Sequence, residues 1–281
     1  MSERMHRYRA LIELLKSYGR VAVAFSAGVD STFLLAAAQE VLQEQVLALS
    51  VTADWIPVRE QQEAVEFCKK QGIRHIQIKV AASDIEGFAA NDAKRCYFCK
   101  KVLFQKMSEV AKREGIVHLL EGSNVDDMSD YRPGMRAIEE LGIHSPLRQT
   151  GWTKALIREQ SQVMGLETAA KASFACLASR IPYGEEITKQ KLQMVELAEQ
   201  YLYERSFGQF RVRVHGSLAR IELLQEDFSK AISEPFRTEL YEALRKIGFS
   251  YVALDLYGYR TGSMNETLSL QEAAEDKACL H

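Results

Sequence analysis

Short continuous apolar runs alternate with helix-length amphipathic segments through the first half of this chain, and no other feature limits its fold as strongly. Residues 8 to 18 set Leu11, Leu14, Leu15 and Tyr18 at helical spacing, and the apolar run Val21-Ala22-Val23-Ala24-Phe25 follows, ahead of a glycine-bearing turn. The order repeats as a helix from Ser31 to about Gln43, a strand from Val46 to Val51, a helix from about Val58 to Gln71 and a strand from Arg74 to Val80. A later helix near Cys99 to Arg113 leads into Val117-His118-Leu119-Leu120-Glu121. Strands separated by helices pair in parallel and are covered on both faces, with ligands at the carboxyl ends of the strands. The residues just after each run are therefore the ones to inspect for chemistry.

After about Ile181 the pattern becomes helix Thr188 to Arg205, strand Gln209 to His215, a Gly216-Ser217 turn, strand Leu218 to Leu224, helix near Glu234 to Ile247 and strand Ser250 to Leu256. The hairpin and the appended strand indicate a separate α+β unit. With 281 residues, 47% of them hydrophobic, the chain can build one large core and a smaller one. We expect an α/β domain over residues 1–180, with a parallel sheet covered by helices, and a smaller α+β domain over 181–281.

Between the first strand and its helix lies Phe25-Ser26-Ala27-Gly28-Val29-Asp30-Ser31-Thr32, where backbone N–H groups and a helix N-terminus can hold an anion. Ser26, Ser31 and Thr32 add hydroxyl donors. No lysine of the GxxxxGK[ST] type is present. The segment resembles instead the SGGxDS loop of the ATP-pyrophosphatase (PP-loop) superfamily, which binds ATP and releases pyrophosphate. Ala27 stands at that family's first glycine and, with its Cβ, resists positive φ. Asp30 is the expected orienting residue near the pyrophosphate and its Mg²⁺; a strand-to-helix turn capped by Ser or Asp is the plainer reading of the same residues.

Thirty-six Lys and Arg against 38 Asp and Glu leave a net charge of −2, which provides no broad basic field for a long nucleic acid. The N-terminus lacks a signal-peptide core and no run of apolar residues is long enough to span a membrane, so a soluble cytoplasmic protein is expected. Five cysteines, an odd number, disfavour a disulfide framework in this setting. Cys96 and Cys99 form a C-x2-C pair within Lys94-Arg95-Cys96-Tyr97-Phe98-Cys99-Lys100-Lys101, and cations of this kind lower thiol pKa. Cys176 stands alone in Ala175-Cys176-Leu177-Ala178-Ser179-Arg180. Zinc, redox and iron–sulfur sites share the C-x2-C spacing, and three thiolates on a four-iron cluster would leave one iron able to bind sulfide. Cys68, on an amphipathic helix, and Cys279, in the tail, read as ordinary packing and surface residues.

In the strand Gln209 to His215, period two puts Arg211, Arg213 and His215 on one face and Val212 and Val214 on the other. Two guanidinium groups on one side suit a phosphate dianion, and Arg260, just after the last strand, could join them; a solvated face paired with surface acids is the alternative.

The loop at 26–32, Gly122-Ser123-Asn124-Val125-Asp126-Asp127 with Asp130-Tyr131-Arg132-Pro133-Gly134, Cys176-Leu177-Ala178-Ser179-Arg180-Ile181-Pro182-Tyr183-Gly184 and Arg211-Val212-Arg213-Val214-His215 together resemble the LarE family over nearly the whole chain. That resemblance implies an ATP-dependent sulfur transferase that adenylates the carboxylates of pyridinium-3,5-biscarboxylic acid mononucleotide and converts them to thiocarboxylates for the nickel-pincer nucleotide cofactor of lactate racemase. With Cys96 and Cys99 beside Cys176, the chain resembles the three-cysteine branch, which holds a [4Fe-4S] cluster carrying sulfide; in other members the later cysteine gives up its own sulfur. Ser26 to Thr32 with Lys100, Lys101 and Asp126 are then expected to serve ATP and Mg²⁺. Asp30 and Cys176 would carry the catalysis, and Ser179, Arg180, Arg211, Arg213 and Arg260 would hold the substrate phosphate. Asp126, Asp127 and Asp130 sit where metal or ribose contacts are expected, and Glu199 and Glu222 match a region the family associates with metal. A sulfide source, other cofactor-assembly proteins and a homo-oligomeric state are implied as well. A PP-loop tRNA thiolase, an ATP-dependent amide synthetase and a non-enzymatic nucleotide or metal scaffold are the competing readings.

Overall fold

The computed structural model describes residues 3–129, 133–172 and 176–260; Asp130, Tyr131, Arg132, Ala175 and Cys279 lie outside them. Among the described residues the chain runs α1 (Glu3–Tyr18), β1 (Val21–Ala24), α2 (Val29–Leu42), β2 (Val46–Thr52), α3 (Val58–Gln71), β3 (Arg74–Lys79), α4 (Arg95–Arg113), β4 (His118–Leu120), α5 (Pro133–Glu140), α6 (Pro146–Gln149), α7 (Lys154–Val163), α8 (Lys189–Tyr203), β5 (Phe210–His215), β6 (Leu218–Leu223), α9 (Phe228–Ile232), α10 (Phe236–Ile247) and β7 (Tyr251–Leu254). The first four strands form a sheet in the order β3-β2-β1-β4, with every pairing parallel. The last three form the order β5-β6-β7, a hairpin with β7 added in parallel to β6. This is the expected α/β architecture with a second small sheet.

Side-chain alternation explains why the first sheet is covered on both faces. Val21, Val23, Val46 and Ala48 join one apolar cluster with α1 and α2, whereas Ala22, Leu47 and Leu49 join another with α4. The second cluster continues through Trp55 and Leu177 to Val212, Val214 and Ile221 of the other sheet. No described helix is long and apolar enough to cross a membrane.

Two differences from the sequence reading bear on the site. α4 begins at Arg95, not near Cys99, because Asp92 caps it: Oδ1 accepts from Lys94 N at 2.7 Å and the carbonyl from Arg95 N at 3.1 Å. Cys96 and Cys99 thus sit three residues apart on one face of a helical first turn. The helices between β4 and residue 163 were not anticipated; α7 carries a site lysine and is capped by Thr153, whose hydroxyl accepts from Leu156 N.

Asn91, fully buried at φ 57, ties the start of α4 to the distant segment that follows Cys176. Its Nδ2 donates to the carbonyls of Ile181 (3.2 Å), Pro182 (2.7 Å) and Glu185 (3.0 Å), and its Oδ1 accepts from Arg95 Nη1. Arg95 Nη1 also donates to the Ala178 carbonyl at 3.2 Å. Asn91→Ala leaves these carbonyls without their donor, at a cost of ~1–3 kcal/mol; a lowered urea midpoint with an unchanged slope is the expected result.

Candidate active site

β1 delivers the loop Phe25–Gly28 at its carboxyl end, and α2 starts immediately afterwards at Val29. The loop is closed by its own polar atoms. Ser26 N donates to Ser31 Oγ at 3.3 Å, the two serine hydroxyls lie 3.1 Å apart, and Thr32 N donates to the Gly28 carbonyl at 2.9 Å. Ala27 adopts φ 54. An L-residue there stores about 1–2 kcal/mol of strain that a glycine would not. Gly122, after β4, lets a second strand end reach the first turn of α2: a Cβ on it would stand 3.0 Å from Ser31 N and 3.2 Å from the Asp30 carbonyl carbon.

Asp30 faces Lys154, whose Nζ donates to Oδ2 at 2.5 Å. Burial raises the Asp30 pKa against the pull of Lys154, and Asp127 pushes it in the same direction as burial. Asp30 Oδ1 is buried without a partner in full hydrogen-bond geometry, with Asn124 near enough to lower the Asp30 pKa. Asp126, expected to serve ATP and Mg²⁺, is placed at the start of α7, where its Oδ2 accepts from Lys154 N at 2.7 Å. Glu121, buried, accepts from Ser123 N (2.9 Å), Ser123 Oγ (2.7 Å) and the Ser145 hydroxyl.

One cavity of about 510 Å³ joins this loop to the cysteines. Ser26, Gly28, Asp30 and Ser31 line it together with Cys96, Cys99 and Cys176. Lys100, Glu121, Asp127 and Lys154 add to the polar lining, while Trp55, Phe88 and Phe104 supply apolar wall. Ala27 and Thr32 open instead onto a neighbouring cavity of about 980 Å³. Lys100 and Lys101 separate: the stem of Lys100 packs over Gly134, whereas Lys101 Nζ donates to Tyr97 Oη at 3.1 Å and lies 3.8 Å from Glu140 on the exposed side of α4. One position of helix rotation carries Lys101 away from the cavity.

Cys99 and Cys176 do not show the acidity expected from the neighbouring cations. Burial pushes the Cys99 thiol well above its ordinary range, with Cys176 and Cys96 adding to the rise, and burial likewise raises Cys176 against the pull of Arg95. Desolvation outweighs the cations because Lys101 is turned away and Arg95 is shared with Asn91 and the Ala178 carbonyl. Among the described residues no three His, Cys, Asp or Glu side chains converge on a single-ion site.

The arginines are buried rather than displayed. Arg180 makes a two-pronged pair with Glu199 (2.8 and 2.9 Å) and donates to Ser179 Oγ and the Cys176 carbonyl. Arg213 makes the same kind of pair with Glu222 (3.1 and 2.8 Å) and donates to the Ser179 carbonyl at 2.9 Å. Both faces of β5 are therefore covered, one by apolar core and the other by α8 and the Cys176 segment, and Glu199 and Glu222 serve as counter-ions. Arg211 is buried beside Arg180 and stacks over Tyr259 at 5.0 Å; burial and the Arg180 charge lower its pKa to about 10. Arg260 lies over the Tyr257 ring at 4.3 Å, apart from that pair of ion pairs. Lys154, Lys171, Glu60 and Glu121 were missed in the sequence, where each is a single charged residue in no recognisable spacing.

Glu60 lines the cavity and titrates at about 7 instead of 4.5, raised by burial and by Glu63 against Lys171 and Arg59. A carboxyl raised on folding favours the protonated native state, so its stabilisation is complete below about 4.5 and is lost as pH rises through about 7. Glu60→Gln, neutral throughout, is expected to be up to ~3 kcal/mol more stable than the parent above pH 7 and level with it near pH 4.5. Unfolding curves across this range check the sign.

Comparison with known proteins agrees with this geometry. A family described as asparagine synthase matches residues 8–123, the part that holds the nucleotide loop and the first sheet. An uncharacterized protein of Synechocystis sp. is 38% identical over 250 residues, covering 89% of this chain and 93% of the relative. The pyridinium-3,5-bisthiocarboxylic acid mononucleotide synthase of Lactiplantibacillus plantarum is 32% identical over 265 residues, covering 94% of this chain and 95% of the relative. An uncharacterized protein of Methanocaldococcus jannaschii is 29% identical over 242 residues, 86% of this chain and 91% of the relative. A PP-loop on a parallel sheet, joined to this near full-length likeness, makes the chain a member of the LarE family of ATP-dependent sulfurtransferases.

Proposed function

We propose that the chain adenylates the carboxylates of pyridinium-3,5-biscarboxylic acid mononucleotide and replaces an oxygen of each with sulfur, yielding the bisthiocarboxylic mononucleotide from which the nickel-pincer cofactor is made. The observation that carries this reading is the single cavity shared by the nucleotide loop and the three thiols. The named activity of the Lactiplantibacillus plantarum relative supports the choice of substrate.

In this reading ATP sits against Ser26 to Ser31, with its phosphates on the α2 N-terminus and Lys100 and Lys154 in reach of the same chamber. Mg²⁺ would be held at Asp30 and Asp127; the unpartnered buried Oδ1 of Asp30 fits such a role, and the ion would neutralise charge on the departing pyrophosphate. A substrate carboxylate oxygen attacks the α-phosphorus, pyrophosphate leaves, and an acyl-adenylate remains. A sulfur nucleophile from the cysteine side then attacks the carbonyl carbon, and AMP leaves with the original oxygen. The second carboxylate takes a second ATP.

Cys96, Cys99 and Cys176 would hold a [4Fe-4S] cluster. Three cysteines that line one cavity supply the kind of thiolate ligands such a cluster takes. When bound, such a cluster supplies an open iron position for sulfide. The chain's own contribution is to fix the Cys176 backbone, whose carbonyl accepts from Ser179 Oγ at 2.7 Å and Arg180 Nη1 at 3.1 Å. We assign substrate recognition to residues 181–281 together with Ser179 and Arg180. Arg211, whose guanidinium lies beside Arg180 and over the Tyr259 ring and can bind a phosphate through two parallel donors, is the favoured phosphate partner. A sulfide donor and other assembly proteins complete the pathway as partners.

Pyrophosphate release that depends on the pyridinium substrate is the expected activity, and Asp30→Asn should lower its turnover on the order of 100-fold while leaving the circular dichroism unchanged. Release without substrate, or full activity in Asp30→Asn, counts against the reading. Anaerobic protein should contain four iron and about four sulfide per chain, lost in each of Cys96→Ala, Cys99→Ala and Cys176→Ala. An iron-free protein that still forms one thiocarboxylate per chain would instead make Cys176 a sacrificial donor.

A further inference from the structure

Lys171 belongs to no motif, yet it occupies the wall between the two cavities and lines both. Its Nζ donates to the carbonyl of Ala27 at 2.9 Å, the residue held at φ 54 in the nucleotide loop. The same ammonium pairs with Glu63 and lies 3.9 Å from Glu60, both on α3. Glu63 is in turn 3.7 Å from Arg59, whose guanidinium lies 3.7 Å over the Tyr203 ring of α8. An ammonium has three donors, and these acceptors can engage them together. Lys171 is thus fastened to α3, and through α3 to α8, while it grips one loop carbonyl.

That carbonyl belongs to the one residue of the nucleotide loop whose backbone conformation its side chain opposes. A glycine at position 27 would enter the left-handed region without help, whereas alanine must be kept there by its surroundings. Two constraints act on Ala27: its methyl is packed in the apolar cluster with Val29 and Phe33, and its carbonyl is held by Lys171. Packing by itself does not set the peptide orientation, because rotation of the Ala27–Gly28 peptide moves the carbonyl far more than the methyl.

We propose that Lys171 is a positioning residue for nucleotide binding: by holding the Ala27 carbonyl from α3, it keeps an alanine-containing loop in the conformation that glycine would adopt unaided, so that the following N–H groups face the phosphates. The inference rests on the assignment of Ser26 to Thr32 to ATP. It differs from a direct phosphate contact in one consequence, namely that Lys171 becomes dispensable when residue 27 loses its Cβ.

A double-mutant cycle on the full chain tests this. Lys171→Met should raise the Kd for ATP ~10-fold in the parent and less than ~2-fold in the Ala27→Gly background, since the loss corresponds to one charged hydrogen bond whose purpose the second substitution removes. Lys171→Arg, which keeps the donor, should stay within ~3-fold of the parent. Glu63→Gln, which leaves Lys171 but loosens its anchor, should give a smaller rise that Ala27→Gly also suppresses, and it serves if Lys171→Met does not fold. Equal losses in both backgrounds would overturn the proposal in favour of direct phosphate contact, and unchanged affinity in Lys171→Met would overturn it outright. If the parent itself binds no ATP, the nucleotide assignment fails separately. The cycle is then read from urea midpoints, where suppression of the Lys171→Met loss by Ala27→Gly supports the clamp and strict additivity refutes it.

Discussion

The buried guanidinium of Arg95 is the point on which the active-site geometry turns. It begins α4, so it is fixed relative to Cys96 and Cys99 by helix geometry, and it donates to the Ala178 carbonyl 83 residues away. A planar group with five donors can satisfy Asn91, Ala178 and the Cys96 sulfur (3.7 Å) at once, which an ammonium could not do in one plane. The third cysteine, two residues before Ala178, is brought to the first two by this contact. Leu177 N adds a second tie, donating to the Trp55 carbonyl at 2.9 Å, so the Cys176 segment is stitched to the loop after β2 as well.

Ion pairs then decide how that segment is oriented. Arg180–Glu199 and Arg213–Glu222 are buried, and such pairs contribute little net stability because desolvation offsets their attraction. Their value here is directional. Each arginine uses two donors on its carboxylate and a third on a backbone carbonyl of the segment, Cys176 for Arg180 and Ser179 for Arg213. The second sheet and α8 therefore brace the Cys176 segment. Arg211, buried between them, has its pKa lowered to about 10, first by burial and then by the Arg180 charge.

The sheet was legible in the sequence because β1, β2 and β4 are buried on both faces and so read as unbroken apolar runs. The loop was legible because a strand end, small residues and a helix start are contiguous. What joins these pieces was not. Arg95, Asn91, Lys154 and Lys171 each act across more than 80 residues of sequence on a backbone carbonyl or a lone carboxylate, and a backbone acceptor leaves no trace in residue identity. The carboxylates opposite Arg180 and Arg213 were hidden for a related reason: period two assigns a face, but only the tertiary arrangement says whether Glu199 and Glu222 or solvent lies opposite it. Asp126 shows the same limit, since an acid after a strand serves a ligand or a helix cap with identical local sequence.

Acyl-adenylates react with water, and a sulfur transferase must let sulfur win. The chamber meets that demand by construction. Trp55, Phe88 and Phe104 line it together with the three cysteines, the loop hydroxyls, Asp30 and Lys154, so apolar and polar surface meet in one chamber. Burial raises the thiols of Cys99 and Cys176. A nucleophile held there does not have to displace a full water shell, whereas the phosphates keep the polar surroundings that their charge requires. The strained alanine supports the chamber from behind: its methyl packs in the separate apolar cluster under the loop while Lys171 holds its carbonyl.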